Sequence, residues 1–417
     1  MSEKIKIFTI GDHPLSPSGV GTQTRYIIEG MLRTGKYQFV SFGGAIKHPN
    51  HQPQKTHQWG DDWILFPVDG YGNADQVRGL IHQQKPDILW FMTDPRFYKW
   101  LWLIEHEIRA HVPMVYYHVW DNYPYPTFNR PFYESNDHVA CISKLTYDIV
   151  QTVAPSVASS YIPHAVDSDV FKPADSSAVQ QFRSTKGLND KFVFFWNNRN
   201  ARRKQSGSLI YWFKDFLDKA EAHDKAILVM HTDPKDPHGQ DLEAILRELG
   251  LTHGEVLISR EKVEAQDLAM IYNIADCTVN ISDAEGFGLA TLESLSCGTP
   301  IIVTMTGGLQ DQVTDGEDWY GIGIEPASKA IIGSQEVPFI YEDRLKGADV
   351  TNALLKMYKM SPEDRTEWGL RGRDFAQRMF DFDTFLERWD TLFTDMYETC
   401  GSWDTRDNYN KYEVKEY

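Results

Sequence analysis

Cysteine and long apolar runs are both scarce in this sequence, and each scarcity excludes a class of protein. The 417 residues include only four cysteines, which are Cys141, Cys277, Cys297 and Cys400. Thiols so few and so widely spaced do not form the disulfide framework of a small secreted domain, which predicts a reducing compartment. The first residues lack the apolar segment of a signal peptide, and no run of about 18 apolar residues follows. We therefore expect a cytoplasmic protein (in the host cytoplasm if it is virus-encoded) that does not insert stably into a membrane.

Positive charge is also in short supply. Lysine and arginine number 42 against 59 aspartates and glutamates, which gives a net charge of −17. This balance argues against broad electrostatic capture of nucleic acid or of an anionic membrane. The excess is uneven, because residues 1–170 carry a net charge of −3 and the remainder carries −14. With 41% hydrophobic and 24% charged residues the composition is globular, and the length favours two domains over one.

Predicted strands and helices alternate along most of the sequence. Short apolar or β-branched runs predict two series of buried strands. The first series is Lys4–Ile10, Tyr37–Phe42, Trp63–Pro67, Ile88–Phe91, Val115–His118, His138–Ile142 and Ser160–Ile162, and the second is Phe192–Trp196, Ile227–His231, Val256–Ile258, Cys277–Ile281 and Ile301–Thr304. Helical spacing predicts helices between them, among them Ala74–Gln84, Lys144–Thr152, Ala265–Ile274 and Leu289–Ser296. This alternation is typical of α/β domains with parallel sheets covered on both faces.

The two series predict two Rossmann-like domains. We place the first domain at residues 1–172, a linker rich in Ser, Lys and Asp at 173–190, and the second domain at 191–375. A helix over 376–400 and a polar, poorly ordered tail over 401–417 complete the prediction. Two such domains in tandem are expected to bind a ligand in a cleft at the carboxyl ends of their strands.

The most informative stretch follows the predicted strand that ends near Ile281. A turn with Gly286 and Gly288 comes next, and a helix is expected to begin near the second glycine. Unpaired N–H groups at a helix start suit a diphosphate, and glycines allow the backbone to approach it closely. Glu285 and Glu293, eight residues apart, are each able to accept hydroxyl hydrogen bonds from a sugar nucleotide.

This stretch resembles the E-x7-E signature of retaining glycosyltransferases with the GT-B fold, and it is most similar to the family 4 type. The resemblance implies two Rossmann-like domains that face each other across a cleft, with the C-terminal helix crossing back onto the first domain. It implies that Glu285 contacts the transferred sugar and that Glu293 holds the nucleotide ribose. The backbone amides implied to bind the donor belong to Gly286, Phe287, Gly288 and Leu289.

A basic turn follows the first predicted strand of the second domain. It contains Arg199, Arg203 and Lys204. Cations are needed where a nucleoside diphosphate departs, because negative charge develops on it as the glycosidic bond breaks. The family has one arginine and one lysine in this turn, and the resemblance gives these catalytic roles to Arg199 and Lys204. Arg203 is able to replace either of them, so the assignment within the turn stays open at this point.

The first domain holds further residues that the resemblance implicates. Gly19 and Gly21 precede a helix expected over Thr22–Leu32, and they match the family's glycine-rich loop near the donor. His118 ends a strand and matches a family histidine that faces the donor sugar. An aromatic stretch beside it indicates acceptor binding by Trp120, Asp121, Tyr123 and Tyr125, with the alternative that half of the aromatic rings in this stretch belong to the core.

The resemblance implies retaining transfer of a sugar from a nucleoside-diphosphate sugar to a hydroxyl acceptor, by front-face substitution. No metal ion or other cofactor is expected, because cationic side chains supply the charge that Mg²⁺ would otherwise provide. A glycan or a small molecule is the favoured acceptor, and a hydroxylated base in DNA is the alternative. Two other functions stay open, namely a UDP-sugar 2-epimerase-like enzyme and a non-catalytic subunit that binds a sugar nucleotide.

Overall fold

Two α/β units make up the protein, as seen in a computed structural model whose described residues are 4–407 and Tyr409. Among these residues, close contacts group those up to Trp120, Tyr125–His164 and those from Asp383 onward into unit 1. Asp121–Pro124 and Ala165–Phe382 form unit 2. The chain therefore contributes four residues to unit 2 at Asp121, returns to unit 1, enters unit 2 again at Ala165, and re-enters unit 1 at Asp383.

Unit 1 is built on an eight-stranded sheet. Its strands are β1 (Ile5–Asp12), β2 (Tyr37–Gly44), β3 (Gln54–Lys55), β4 (Trp63–Pro67), β5 (Ile88–Met92), β6 (Met114–His118), β7 (His138–Cys141) and β8 (Ser159–Tyr161). Their order is β3-β4-β2-β1-β5-β6-β7-β8, and every neighbouring pair is parallel except β3 with β4. The strand β5 is buried along its whole length, as a strand covered on both faces must be.

The helices of unit 1 that precede unit 2 in the chain are α1 (Gly19–Arg33), α2 (Ala74–Gln84), α3 (Lys99–Trp102), α4 (Glu105–Arg109), α5 (Arg130–Glu134) and α6 (Lys144–Val153). Helix α1 begins at Gly19, three residues before the predicted start at Thr22. Ser18 is its N-cap, because the Ser18 hydroxyl accepts a hydrogen bond from the Gly21 amide at 3.0 Å. The predicted glycine loop is therefore the first turn of a helix.

Unit 2 contains a parallel sheet and a separate hairpin. The sheet strands are β9 (Phe192–Asn197), β10 (Ala226–His231), β11 (Val256–Ser259), β12 (Cys277–Asn280), β13 (Ile301–Thr304) and β14 (Gly321–Ile324), and the antiparallel hairpin pairs β15 (Ser328–Ile332) with β16 (Ile340–Arg344). The sheet order is β11-β10-β9-β12-β13-β14. This is the doubly wound order of nucleotide-binding sheets, in which the winding reverses between β9 and β12.

The helices of unit 2 are α7 (Ser176–Thr185), α8 (Ser206–Ala220), α9 (Leu242–Leu249), α10 (Ala265–Ile274), α11 (Leu289–Ser296), α12 (Gln310–Val313), α13 (Gly347–Lys359) and α14 (Pro362–Met379). Phe194 and Trp196 of β9 pack in the core with Phe213 and Phe216 of α8, and all four side chains are fully buried. Large aromatic side chains therefore fix α8 against the central strand of the sheet.

The predicted α/β class with two parallel sheets is confirmed, and the differences lie where the sequence is polar or rich in glycine. Helix α7 lies within the segment predicted to be a linker. None of its residues is buried, so its sequence is polar and resembles that of a linker. Strand β14 includes Gly321, where a Cβ would lie 2.5 Å from the Ile301 carbonyl oxygen. A glycine that allows two strands to approach closely gives no apolar signal, so the sequence did not predict this strand.

The predicted C-terminal helix is divided between the two units. Helix α14 belongs to unit 2, and α15 (Phe382–Cys400) packs in unit 1. Trp389 of α15 is fully buried, and its ring centroid lies 5.3 Å from that of Trp90 and 4.8 Å from that of Tyr117, both in edge-to-face contact. This aromatic cluster fixes the last helix on the sheet of unit 1.

The prediction of a poorly ordered tail is wrong for residues 401–407. The Trp403 indole donates to the Pro86 carbonyl at 2.9 Å, and the Ser402 hydroxyl donates to Asp87 at 2.7 Å. Arg406 forms an ion pair with Asp137 at 2.7 Å. Specific polar contacts therefore order a segment whose composition alone indicates a tail, and the other predicted tail residues, 408 and 410–417, lie outside the described residues.

We expect Trp389→Ala to destabilise unit 1 by about 3–5 kcal/mol, because truncation of a fully buried tryptophan leaves a cavity beneath α15. Urea unfolding measures this loss. The matched control is Tyr397→Ala on the same helix, which removes an aromatic side chain that is 38% exposed and should cost about 1 kcal/mol or less. Equal losses for the two variants would contradict the packing of α15 described here.

Candidate functional site

The candidate site lies at the switch point of the sheet in unit 2. Ligands of open α/β sheets bind at the carboxyl ends of strands where the winding reverses, and here those strands are β9 and β12. The turn after β9 carries the basic residues, and the turn after β12 carries Glu285. Because β9 and β12 are hydrogen-bonded neighbours, their carboxyl ends bring these two turns together.

A buried ion pair joins the two turns. The Lys204 ammonium donates a hydrogen bond to the Glu285 carboxylate, and both residues are only 8% exposed. The Arg203 guanidinium lies 3.6 Å from the same carboxylate oxygen and 3.9 Å from the carboxylate of Asp121. Arg203 also donates to the Ala284 carbonyl. Two cations therefore converge on one carboxylate in a desolvated position.

The pKa values follow from this arrangement. Burial, together with the charge of Arg203, lowers the pKa of Lys204 to about 8 against the opposing effect of Glu285. Burial acts to raise the pKa of Glu285, but Lys204 and Arg203 outweigh it and hold that pKa below its ordinary value. At neutral pH Glu285 is therefore ionised and Lys204 is mostly charged, so the site is able to bind an anionic group and hydroxyl groups side by side.

Backbone groups surround the same turn. Gly288 is the N-cap of α11 with φ at +94°, a backbone conformation that favours glycine. Gly308 donates from its amide to the Glu285 carbonyl at 3.0 Å. Gln312 donates to the carbonyls of Phe287 at 2.8 Å and Gly288 at 3.1 Å. The segment after β13 therefore fixes the backbone of this turn, and ligand binding by the amides of Gly286, Phe287, Gly288 and Leu289 stays a prediction.

Glu293 lies on α11 and is held by a side-chain network. The Tyr272 hydroxyl donates to the Glu293 carboxylate at 2.7 Å and accepts from the Asn197 amide at 2.8 Å. Burial raises the pKa of Glu293 to about 7, and the hydrogen bond from Tyr272 only partly opposes this. Glu293 is thus a carboxyl group whose protonation changes near neutral pH. The sequence did not identify Tyr272 as a partner of Glu293, because Tyr272 lies on α10, whose pattern is that of an ordinary amphipathic helix.

Arg199 is placed differently from the two other basic residues. Its guanidinium pairs with Asp236 at 2.6 Å and contacts His238 at 2.8 Å, and its side chain is 61% exposed. Lys204 and Arg203, rather than Arg199, are the cations that contact Glu285. The sequence left open which basic residues of the turn act on the donor, and the structure shows only that Arg203 and Lys204 share Glu285 as a partner.

His118 lies in the core of unit 1 and is fully buried. Its Nδ1 lies 3.1 Å from the Thr146 carbonyl oxygen and its Nε2 lies 2.8 Å from the Tyr133 hydroxyl. A carbonyl only accepts, so Nδ1 carries the proton and Nε2 accepts from Tyr133. Burial lowers the pKa of His118 to about 3, which keeps the ring neutral. Both nitrogens are thus engaged within unit 1, and this geometry gives the predicted contact with a donor sugar no support.

The glycine pair of unit 1 adjoins the end of β1. A Cβ on Gly21 would lie 2.5 Å from the Ser16 hydroxyl oxygen and 2.8 Å from the His13 carbonyl oxygen, so the turn requires glycine there. Gly19 is the first residue of α1. Ser18 donates to Asp12 at 2.6 Å, which fixes the turn to the strand end. These contacts give Gly21 a structural reason that is independent of any ligand.

The aromatic stretch divides between core and surface. Tyr116, Tyr117, Trp120 and Tyr133 are buried, whereas Tyr123, Tyr125, Phe128 and Phe132 are half-buried. Of the residues predicted to bind an acceptor, Asp121 and Tyr123 belong to unit 2, while Trp120 and Tyr125 belong to unit 1. Asp121 is the member that the structure places beside Arg203.

Within residues 4–407 and Tyr409, no group of three or more His, Cys, Asp or Glu side chains is arranged to hold a metal ion. Over the same residues, no helix combines the length and apolar character needed to cross a bilayer.

Comparison with known proteins agrees with the position of this site. Residues 179–333 match the family model of glycosyl transferases group 1. That segment includes the basic turn, Glu285 and Glu293. The predicted resemblance to glycosyltransferases is therefore confirmed at this level for the matched segment.

Similar proteins share parts of the sequence or the whole fold. A GDP-mannose-dependent alpha-(1-6)-phosphatidylinositol monomannoside mannosyltransferase of Mycolicibacterium smegmatis is 27% identical over 189 residues, which cover 43% of this chain and 47% of that protein. This chain thus spans less than half of that relative's length. Sucrose-phosphate synthase of Thermosynechococcus elongatus has a TM-score of 0.74 at 15% identity, with 95% of this chain and 100% of that chain covered. HepE of Anabaena, solved with UDP and glucose, has a TM-score of 0.69 at 16% identity, with 94% and 100% covered. The two structures confirm the predicted GT-B fold class, and at this identity they show the fold alone.

We expect Gly307→Ala to destabilise unit 2 more than Gly316→Ala, by at least about 1 kcal/mol in urea unfolding. Both glycines have positive φ, at +49° and +99°, so each alanine should cost about 1–2 kcal/mol from backbone strain. A Cβ on Gly307 would also lie 1.9 Å from the Glu285 carbonyl oxygen, whereas among the described residues no atom lies within 4 Å of a Cβ on Gly316. Equal costs would contradict the close approach of Gly307 to Glu285.

Proposed function

We propose that this protein is a retaining glycosyltransferase that moves a sugar from a nucleoside-diphosphate sugar to a hydroxyl acceptor. The observation that carries the proposal is the convergence of Lys204 and Arg203 on Glu285 at the switch point of unit 2. This cluster lies inside the segment that matches the glycosyl transferase family model. The resemblance to the E-x7-E signature supports retention of anomeric configuration.

Each side chain has a role that its position suits. Lys204 and Arg203 bind the donor diphosphate, together with the amides at the start of α11. Glu285 accepts hydrogen bonds from hydroxyl groups of the transferred sugar, and Glu293 does so from the ribose diol. Because the Lys204 ammonium pairs with Glu285, a diphosphate that binds Lys204 competes with this carboxylate for the cation and leaves it able to accept from the sugar.

The reaction proceeds by front-face substitution. The bond between the anomeric carbon and the diphosphate oxygen breaks, and a new bond forms from the acceptor oxygen on the same face of the sugar. The acceptor proton passes to the departing diphosphate. Arg203 and Lys204 stabilise the charge that develops on that group, so the mechanism requires no further cation. Arg199 and His118 have no role in this scheme, because the side chain of Arg199 pairs with Asp236 and both ring nitrogens of His118 are engaged.

The donor is proposed to carry UDP or GDP. HepE was solved with UDP and glucose, and the mycobacterial relative is GDP-mannose-dependent by name, which supports testing both nucleotides. A glycan or a small polyhydroxylated molecule is the proposed acceptor class. Asp121, 3.9 Å from Arg203, is the residue of unit 2 proposed to orient the acceptor hydroxyl.

Lys204→Met should lower the rate of UDP release from UDP-glucose, or of GDP release from GDP-mannose, by about 100-fold or more. The reason is that Lys204 stabilises charge that appears only as the diphosphate leaves. Lys214→Met, which removes a lysine paired with Asp218 on α8, is the matched control and should retain the full rate. Arg199→Met decides whether the second cation beside Lys204 is Arg203, as proposed here, or Arg199, as the family resemblance implies.

A loss of less than about threefold in Arg199→Met supports Arg203 as the second cation. A loss in Arg199→Met as large as that in Lys204→Met contradicts our assignment and restores the one implied by the family resemblance. If the unaltered protein releases neither nucleotide and shows no stabilisation by UDP or GDP in a thermal shift assay, the proposed function itself fails.

Nucleotide affinity should fall as the pH drops below about 7, because the ribose diol donates hydrogen bonds to ionised Glu293 and burial raises the pKa of this group to about 7. Protonation removes that acceptor, so the Kd for UDP or GDP rises by up to about tenfold per pH unit well below 7. Glu293→Gln should bind more weakly at pH 8 and lose this dependence. Calorimetric titration of both proteins from pH 5.5 to 8 tests the prediction, and parallel pH profiles would count against it.

A further inference from the structure

The hairpin β15–β16 forms ion pairs with both turns of the candidate site. The match to the glycosyl transferase family model ends at residue 333, so β16 lies beyond it. Yet β16 provides Glu342 and Arg344, which pair with residues of the two site turns. The hairpin was not foreseen from the sequence, and the proposed function assigns it no role.

The contacts form one ion network that we call the hairpin network, composed of Arg202, Asp283, Glu342 and Arg344. Arg202 forms a bidentate pair with Glu342 at 2.7 and 2.6 Å. Arg344 pairs with Asp283 at 2.8 Å and with Glu342 at 3.3 Å. The side chains of Asp283 and Glu342 are 3% and 4% exposed, so both carboxylates depend on these arginines for compensation.

Two members of the network, Arg202 and Asp283, lie within two residues of the proposed diphosphate site in sequence. Arg202 precedes Arg203 and Lys204 in one 3₁₀ turn, and Asp283 lies two residues before Glu285. The Asp283 amide donates to the Arg203 carbonyl at 2.8 Å, and its carbonyl accepts from the Asp343 amide at 3.0 Å. Strand β16, the turn after β12 and the basic turn are thus joined at Asp283.

The residue after Lys204 is also held by the hairpin network. Gln205 has φ at +56° and ψ at 34°, the left-handed region that a residue with a side chain enters at a cost of about 1–2 kcal/mol. The Gln205 side-chain amide donates to Asp283 at 2.6 Å. The same carboxylate that binds Arg344 therefore also holds the strained residue that ends the basic turn.

We propose that Glu342 and Arg344 are positioning residues for the diphosphate site: the hairpin network holds the basic turn so that Arg203 and Lys204 lie where a diphosphate binds. The inference rests on the proposed function and extends it to a part of unit 2 that the family match does not include. Because Arg202 compensates Glu342, neither Arg203 nor Lys204 is needed for that carboxylate, and both face Glu285 instead.

The test compares binding of a nucleoside diphosphate with binding of its nucleoside. Isothermal titration with UDP and uridine, and with GDP and guanosine, gives the Kd of each ligand. The Kd of the nucleoside divided by the Kd of its diphosphate measures the contribution of the diphosphate alone. Glu342→Gln should lower this ratio by about tenfold while the Kd of the nucleoside changes by less than about twofold. Arg344→Gln should have the same effect, so the inference stays testable if one variant folds poorly.

The matched control is Asp276→Asn, which also converts a carboxylate of unit 2 to an amide. Asp276 pairs with Arg183 at 3.3 Å and with Arg365 at 3.2 Å, and it precedes β12 at the amino end of the sheet, away from the site. Its variant should keep the ratio of the unaltered protein even if its melting temperature falls. This comparison separates positioning from a general loss of stability.

The possible outcomes separate the two proposals. A ratio that stays unchanged in Glu342→Gln and Arg344→Gln, while the unaltered protein binds UDP or GDP, overturns the inference and leaves the proposed function intact. A drop in the ratio of the same size in Asp276→Asn also overturns it, because the effect is then not specific to the hairpin. If neither nucleotide binds the unaltered protein, the proposed function fails and the inference falls with it.

Discussion

The buried ion pair between Lys204 and Glu285 is the interaction on which the site in unit 2 depends. Either charge alone would be costly in so desolvated a position, so each compensates the other. The pair exists because β9 and β12 are neighbours, although more than seventy residues separate the two turns in sequence. Sheet order therefore determines where charge accumulates, and a ligand must offer the cations at least as favourable a partner as Glu285 does.

The net negative charge of the chain does not show how charged side chains are paired around the site in unit 2. The chain is acidic overall, with −14 of its net charge beyond residue 170. Three acidic groups near the site are paired with arginines, as Asp236 is with Arg199, Glu342 with Arg202 and Asp283 with Arg344. An acidic protein is thereby able to present a small cationic site, because short-range pairing in a low-dielectric position outweighs the distant, screened surplus.

Much of the fold could be predicted from the sequence, since buried parallel strands are short apolar runs with turns at both ends. The bounds predicted for Trp63–Pro67 and Ile301–Thr304 agree with the structure to the residue. Prediction failed where burial was not what formed the element. Helix α7 has no buried residue, β14 includes a glycine where the neighbouring strand approaches closely, and β16 provides Glu342 and Arg344 to ion pairs.

The sequence by itself determined the alternation of strands and helices, the glycine turn before α11, and the presence of a basic turn after β9, because all three are properties of neighbouring residues. Only the tertiary structure decided which cations meet Glu285. Arg202, Arg203 and Lys204 share one 3₁₀ turn, whose three residues point in different directions, so their partners depend on what surrounds the turn. The same holds for His118, which a sequence pattern marks as a ligand contact and which the packing of unit 1 makes a core residue.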